Sequence, residues 1–464
     1  TAILALVLYS LSPTFLAHGR LVTTDVGAAA GIFIATYYFV KFLNESSRQN
    51  LFIAGAVFGL AQLIKFSTVL LIPLFAILTI IWWRIKTDEH GRGAKHFDFY
   101  VSSLVLIIII GFLLVGAVYQ YHIINYPLEK QIKDMKTNLN SYPSLLVNPL
   151  IKATDNPILR PSAQYTAGFL MVFNRTSWGN TGYFMGEVSN KGWKSFFPVS
   201  YLIKEPLAFH ILTLIALLFA LKLGIQKIKK YKEEFITRVP NIKMIWQRHS
   251  AGILLWIKKH FPETAMLIFV AIYWLTSLSS PLNIGIRHLL PVLPFTIILV
   301  SIIIIKFLKE PYLGLKSIVI GLLIIWQFFS VNLVYPNYLS YFNELAGGPS
   351  NGYRYTVDSN LDWGQDLKRL AKWVEKNKID KIYLDYFGGD DPAYHLKEKY
   401  LPWQGTNSET ELPKSSYLAV SLTRLQLGRG KVISGLEKGG YYLWLDKYEP
   451  ITKIDNSIFV YKIE

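Results

Sequence analysis

Six ionisable residues interrupt the apolar stretches of the sequence at three places. They are His18, Arg20 and Asp25 in AHGRLVTTD, Lys65 in QLIKFSTVLLIPL, and Arg287 and His288 in PLNIGIRHLLPVLP. Ionisable groups at membrane depth are costly, so they are functional candidates by default. Most of the six are cations, and cations that converge at one membrane face are suited to a phosphate-bearing lipid. A metal site is not indicated there, because His, Asp and Glu at ligand spacing are absent.

Each place also has a structural interpretation. Asp25 could cap the helix that follows it. The side chains of Arg20 and Lys65 could extend along apolar surface until their charges reach water. Arg287 and His288 differ, because adjacent cations at a helix N-terminus oppose the helix dipole. A nearby anion would offset that cost, so the sequence favours a functional role at this third place.

Three carboxylates form a separate candidate site. Asp358, Asp362 and Asp366 are spaced four apart, which would align them on one helix face, and a helix is predicted over 362–377. There they could bind a divalent cation such as Ca²⁺. The alternative is an N-cap with first-turn acids that interact with the helix dipole. No other cofactor is predicted, because the sequence has no cysteine and no P-loop.

The elements that must position these residues are membrane helices. Residues 101–119 read VSSLVLIIIIGFLLVGAVY, an uncharged stretch long enough to cross roughly 30 Å of hydrocarbon. Similar runs predict about nine spans, near 1–17, 26–43, 51–65, 66–83, 100–119, 206–223, 264–280, 288–305 and 315–335. The predicted fold is an α-helical polytopic membrane protein with a small C-terminal extracytoplasmic α/β domain.

The distribution of lysine and arginine predicts the orientation. The net charge is +17, and basic residues concentrate near residue 48 and in 84–95, 222–260 and 306–316. The positive-inside rule assigns these segments to the cytoplasm, so topology rather than nucleic-acid binding accounts for the charge. Segment 227–260 could also contact anionic lipid. The predicted location is the inner or plasma membrane.

Four regions follow from this topology. They are transmembrane helices in 1–119, an extracytoplasmic loop in 120–205, further helices in 206–336 with a basic cytoplasmic loop at 223–262, and the outer domain in 337–464. In the first outer loop, an amphipathic helix is predicted from the spacing of Leu128, Ile132, Met135 and Leu139. In the outer domain, strands are predicted at 382–387, 417–422, 441–445 and 458–463.

Several segments, in this order, resemble one family. SPTFLAHGRLVTTD holds Arg20 and Asp25 at an Arg-x4-Asp spacing, and LIKFSTVLLIPL surrounds Lys65. GYFMGEVSNKGWKSFFPVSYLIKEPL, NIGIRHLLPVLPF and NELAGGPSNGYRYTVDSNLDWGQDLKRL follow. Together they resemble the polyprenyl-phosphate-dependent glycosyltransferases of the GT-C fold, in particular the protein O-mannosyltransferases (glycosyltransferase family 39).

The resemblance implies a reaction and its partners. A sugar, mannose or a similar hexose, would move from a polyprenyl-phosphate donor to a hydroxyl of an acceptor protein or glycan, outside the cytoplasm and with inversion. Such chemistry needs a carboxylate base and cations that stabilise the leaving phosphate. In the family the base lies in the first outer loop, which we expect upstream of Thr1 because the opening span is similar to the family's third.

The resemblance also implies roles by matching position. The expected ligands of the lipid phosphate are Arg20, Lys65, Arg287 and His288. Asp25 would support catalysis by orienting Arg20 or the sugar. Glu187 and Trp193 lie in the outer loop that would cover the site and help to bind the acceptor.

Two other function classes remain open on the sequence. A secondary transporter also carries charges within its spans, although near the membrane midplane on broken helices. A non-catalytic scaffold would bind the lipid phosphate without transferring a sugar. Solute uptake would favour the first class, and a first outer loop without an acidic residue would favour the second.

Overall fold

The computed structural model describes residues 1–90, 93–236, 252–435 and 439–464. Within them, seven helices are long and apolar enough to cross a membrane: Thr24–Asn44, Phe66–Lys86, Phe97–His122, Leu207–Lys229, Phe261–Ser279, Ile286–Leu308 and Leu313–Asn332. Ala2–Ser10 and Pro13–Gly19 meet at 63° and form an eighth span if taken together. The prediction of a polytopic helical membrane protein is confirmed.

Two of the predicted spans have unusual forms. Within predicted span 1–17, Pro13 cannot continue the first helix and instead begins the second, with Ser12 as its N-cap. Predicted span 51–65 is the helix Arg48–Ile64, whose 17 residues extend about 26 Å. This short helix packs between its neighbours Thr24–Asn44 and Gly93–His122.

Glycine allows one of these helix contacts to be very close. A side chain at Gly59 of the short helix would lie 2.5 Å from the backbone oxygen of Gly111. The two helices therefore meet backbone to backbone, and larger residues at either position would separate them. This contact fixes the helix that ends just before Lys65.

The outer loop 120–205 folds into helices and a hairpin. Its helices are Leu128–Asn138, Ser144–Ala153, Arg160–Trp178 and Phe196–Lys204, and its strands are Gly182–Phe184 and Glu187–Ser189. The predicted amphipathic helix is present. Met135 and Leu139 pack against Val147, whereas Leu128 is exposed.

The C-terminal region contains the predicted α/β domain. Its mixed five-stranded sheet consists, in spatial order, of Tyr400–Pro402, Ile382–Asp385, Tyr417–Ser421, Ile458–Lys462 and Thr452–Ile454. The helix Leu367–Lys376 packs on this sheet through Leu367, Leu370 and Val374. The outer strand Lys431–Ser434 instead pairs in parallel with Glu187–Ser189 of the first outer loop, so the two outer segments share a sheet.

Two predictions in this domain were wrong. Residues 441–445 do not form a strand. Tyr442 has a left-handed backbone with φ of 53°, which ends any extended run, and Leu443–Lys447 is a 3-10 helix. The helix predicted over 362–377 begins only at Leu367, because Gly364 (φ of 79°) holds a turn in front of it.

The predicted basic loop 223–262 is described in part. The helix Leu207–Ile236 continues into it, residues 252–259 are also helical, and Phe261 begins the helix that follows them. Residues 237–251 of that loop lie outside the described residues.

Candidate functional site

Three of the predicted site residues form one cluster. The carboxylate of Asp25 accepts a hydrogen bond from Lys65 Nζ at 2.5 Å and another from Arg287 Nη1 at 3.2 Å. Asp25 is buried, whereas Lys65 and Arg287 keep 21% and 17% of their side chains exposed. Two cations share one carboxylate, so this Asp25 cluster (Asp25, Lys65, Arg287) retains one uncompensated positive charge. It can therefore bind an anion.

Helix ends bring these side chains together. Asp25 lies in the first turn of Thr24–Asn44, with Thr23 rather than Asp25 as the N-cap. Lys65 connects the end of Arg48–Ile64 to a 3-10 turn, and Arg287 lies in the 3-10 turn that begins span Ile286–Leu308. All three ends belong to the membrane face predicted to be extracytoplasmic. Asp25 is therefore not the N-cap of its helix, and Lys65 is paired with Asp25 rather than isolated among apolar residues.

Residues of the C-terminal domain hold Arg287 in place. Arg287 Nε donates to Ser359 Oγ at 3.1 Å, and Ser359 Oγ donates to the carbonyl of Ile284 at 2.8 Å. The Trp363 ring lies 4.7 Å from the Arg287 guanidinium, within cation–π range. A side chain at Gly285 would lie 2.2 Å from Ser359 Oγ, so glycine is needed for this approach.

Two imidazoles next to the cluster have unused polar atoms. His18 meets the Trp363 ring edge-on at 6.4 Å, and His288 meets Phe197 edge-on at 6.5 Å. Among the described residues, His18 Nδ1 and His288 Nε2 are buried and have no hydrogen-bond partner. Buried polar atoms are rarely left unpaired, so both nitrogens are candidates for contact with a bound ligand.

An apolar cavity of about 330 Å³ is lined in part by the 3-10 turn that follows Lys65. Its lining consists of Val69, Phe112, Val115, Ser162, Tyr165, Thr166 and Phe169. Val69 belongs to the 3-10 turn that begins directly after Lys65, and the rings of Tyr165 and Phe169 contact Phe66. An apolar chain and an anionic group could therefore be bound next to one another.

The chain was compared with known protein families, and one family matches its N-terminal part. Residues 1–115 match the dolichyl-phosphate-mannose-protein mannosyltransferase family. Over these residues the match confirms the resemblance predicted from the sequence, and it supports a membrane glycosyltransferase of the mannosyltransferase type. It covers Asp25 and Lys65, whereas Arg287 lies beyond it. No curated protein and no solved structure matches the chain.

Arg20 lies apart from the cluster. It follows the helix Pro13–Gly19, is exposed, and makes no ion pair within the described part of the chain. Asp25 therefore orients Lys65 and Arg287 rather than Arg20. The mannosyltransferase match includes Arg20, and its predicted contact with a lipid phosphate stays a prediction.

Glu187 and Trp193 of the outer loop contact one another. Trp193 Nε1 donates to Glu187 Oε2 at 2.9 Å. The backbone N–H of Trp193 donates to Asn283 Oδ1 at 2.5 Å, and Asn283 lies four residues before Arg287. The loop is thereby attached to the segment that leads into the cationic cluster.

The predicted cation site at Asp358, Asp362 and Asp366 is not assembled. The three residues do not share a helix face, because Asp358 begins a 3-10 turn and Asp366 is the N-cap of Leu367–Lys376. Asp362 accepts from the backbone N–H groups of Gly364 and Thr423, and Asp366 pairs with Arg369 and accepts from Ser457. In the described ranges, no group of three His, Asp or Glu side chains is placed to hold a metal ion.

Asp358 itself borders the Asp25 cluster. It precedes Ser359, the partner of Arg287, and has a left-handed backbone with φ of 56°, a conformation that costs energy in a residue other than glycine. Burial raises the pKa of its carboxyl to about 6, while the Ser359 N–H and the charge of Arg287 act in the lowering direction. Asp358 is thus a carboxylate close to the site, contributed by the outer domain.

Lys204 was not among the residues predicted from the sequence, and it joins the outer domain to the membrane region. Its ammonium is buried and donates to the carbonyls of Leu339, Tyr341 and Asn360 at 2.6–2.8 Å. Asn360 Oδ1 in turn accepts from the N–H of Ile286, next to Arg287. The signal available in the sequence was the charged pair Lys204-Glu205 directly before an apolar run.

Glu205 completes this connection on the membrane side. Its buried carboxylate accepts from Thr14 Oγ1 at 2.5 Å and from Ser12 Oγ at 3.3 Å. Ser12 and Thr14 lie at the bend of the first span. Lys204 and Glu205 therefore tie this bend, the outer loop and the segment beside Arg287 to one another.

Proposed function

We propose that the protein transfers a sugar, mannose or a similar hexose, from a polyprenyl phosphate to an acceptor hydroxyl on the extracytoplasmic side, with inversion. One observation carries this proposal. The Asp25 cluster holds two cations on one carboxylate at one membrane face, and the excess positive charge suits a phosphate. The adjacent apolar cavity suits the polyprenyl chain that such a phosphate carries. The outer domain, at 337–464, lies on the extracytoplasmic side in this proposal.

The cluster supplies charge stabilisation to the reaction. The acceptor oxygen forms a bond to the anomeric carbon while the bond from that carbon to the phosphate oxygen breaks, and the phosphate keeps the electron pair. Lys65 and Arg287 stabilise the charge that develops on this oxygen. Asp25 holds both cations in place in advance, so little reorganisation is needed during the reaction.

A carboxylate must also take the acceptor proton. Both oxygens of Asp25 already accept from cations, so Asp25 supports the reaction rather than acting as base. The base in this proposal is therefore a carboxylate other than Asp25. Glu187 and Trp193 are proposed to contact the acceptor.

The test is sugar transfer by the natural full-length protein in proteoliposomes. The donor is radiolabelled mannosyl polyprenyl phosphate, and a membrane-protein extract supplies acceptors. K65M and R287Q should each lower transfer by about 100-fold or more, the size of effect seen when a preorganised stabiliser of developing charge is lost. K152M is the matched control, because Lys152 is exposed on the outer loop helix Ser144–Ala153.

Three outcomes would overturn the proposal. Full transfer by K65M or R287Q would show that the cluster does not stabilise the leaving phosphate. Uptake of solute without transfer would favour a secondary transporter. Binding of polyprenyl phosphate without any transfer, by a natural protein that has no carboxylate in its first outer loop, would favour a scaffold.

A further inference from the structure

A second pocket lies at the other end of the span that carries Arg287. Its volume is about 560 Å³, and its lining includes Ile215, Leu218, Phe219, Lys222, Phe307 and Lys316. From Arg287 to Phe307 the span advances about 30 Å at 1.5 Å per residue. The pocket is therefore on the opposite membrane face from the Asp25 cluster, the face predicted to be cytoplasmic.

Three spans form this pocket, and their apolar side chains make most of its wall. Leu207–Lys229 contributes Leu218 and Phe219, Ile286–Leu308 contributes Phe307, and Leu313–Asn332 begins beside it. Leu218 is 58% exposed in the isolated chain. An open apolar pocket among membrane spans faces acyl chains rather than water.

Two lysines are placed at the pocket by aromatic rings. Lys316 Nζ lies 4.4 Å from the centre of the Phe307 ring and donates to the Phe307 carbonyl at 3.1 Å. Lys222 Nζ lies 5.7 Å from the Phe219 ring. Glu310 also lines the pocket, but its distance to Lys222 is 3.8 Å and both side chains are largely exposed, so it compensates only part of this charge.

We propose that this pocket binds an anionic phospholipid, with the acyl chains against Leu218 and Phe219 and the headgroup phosphate between Lys222 and Lys316. Charge complementarity supports this occupant, because the neighbouring Lys306 and Lys309 add to the positive charge. Anionic lipids of the cytoplasmic leaflet are attracted to such basic segments. The site is separate from the proposed transferase site and does not depend on it.

The test is the thermal stability of the natural full-length protein in dodecyl maltoside with added lipid. Dioleoylphosphatidylglycerol should raise the apparent Tm by about 2 °C or more, because a ligand that binds only the folded state stabilises it. Dioleoylphosphatidylcholine should raise it much less. K222Q/K316Q should lose most of the difference between the two lipids, and K222R/K316R should retain it.

The controls separate this site from general surface charge. K41Q/K229Q removes the same number of charges from the same membrane face but outside the pocket, and it should respond like the natural protein. Equal loss of the lipid effect in this control and in K222Q/K316Q would overturn the proposal. So would equal stabilisation by both lipids, or a full effect of inorganic phosphate without lipid. Lipid adducts counted by native mass spectrometry give a second readout if K222Q/K316Q is itself less stable.

Discussion

Replacing Asp25 by Asn should destabilise the protein more than replacing Lys65 by Met. In D25N, the charges of Lys65 and Arg287 stay side by side without the carboxylate that separates them. In K65M, Asp25 keeps its ion pair with Arg287 at 3.2 Å, so its buried charge still has a partner. In D25N/K65M only Arg287 remains charged, and Trp363 still contacts it. The double variant should therefore regain part of the stability lost in D25N.

The expected magnitude follows from the two distances. At an effective dielectric constant of about 20, Coulomb's law gives about 7 kcal/mol for the 2.5 Å contact and about 5 kcal/mol for the 3.2 Å contact. Desolvation offsets a large part of these energies. We expect D25N to cost about 3–5 kcal/mol and the coupling between Asp25 and Lys65 to be about 2–4 kcal/mol.

The assay is a double-mutant cycle of unfolding free energies, measured by adding SDS to protein in dodecyl maltoside micelles. Four proteins are compared: the natural chain, D25N, K65M and D25N/K65M, with K152M as a variant that should leave stability unchanged. The reasoning is refuted if K65M costs as much as D25N. It is also refuted if the two single effects add within about 0.5 kcal/mol, as they do for residues that do not interact.

Two further predictions concern the outer domain. K204M should leave three buried carbonyls without their donor. The outer domain should then be more sensitive to limited proteolysis by about tenfold or more. K194M replaces an exposed lysine of the same loop and should not have this effect. Burial raises the pKa of Asp362 to about 7, well above the usual range of an aspartate, so its stabilising contribution is complete below about pH 4 and is lost as the pH rises through 7. The apparent Tm should fall over this interval, and a fall of the same size in D362N would contradict the assignment.

The membrane architecture could be predicted because its signal is local. A run of about 20 apolar residues is sufficient to identify a span, and 101–119 needed no information from elsewhere in the chain. Elements whose conformation depends on distant residues were harder to predict. The helix Arg48–Ile64 is short, and residues 441–445 have the composition of a strand although Tyr442 takes a left-handed turn. Tyr442 makes a tertiary contact at this turn, since its hydroxyl donates to Asp385 at 2.6 Å, and such a contact is not visible in the local sequence.

The site was predictable in its residue types but not in its pairings. Lys65 and Arg287 were identified because charges are costly among apolar residues. The spacing Arg-x4-Asp suggested that Asp25 belongs with Arg20, but Asp25 instead contacts residues 40 and 262 positions away. Ser359 and Trp363 had no signal of their own, because their role exists only where the outer domain meets Arg287.

The division of the cluster along the chain has a consequence for function. Residues 1–115, which match the mannosyltransferase family, contain Asp25 and Lys65, whose charges cancel. The excess positive charge comes only with Arg287, which lies in a late span and is held by Ser359 of the outer domain. Lys204 fixes the adjoining Asn360, so the outer domain determines where that charge stands. In the proposed function, anion binding is therefore a property of the assembled chain, and a change in the outer domain should alter binding of the proposed donor without touching the matched segment.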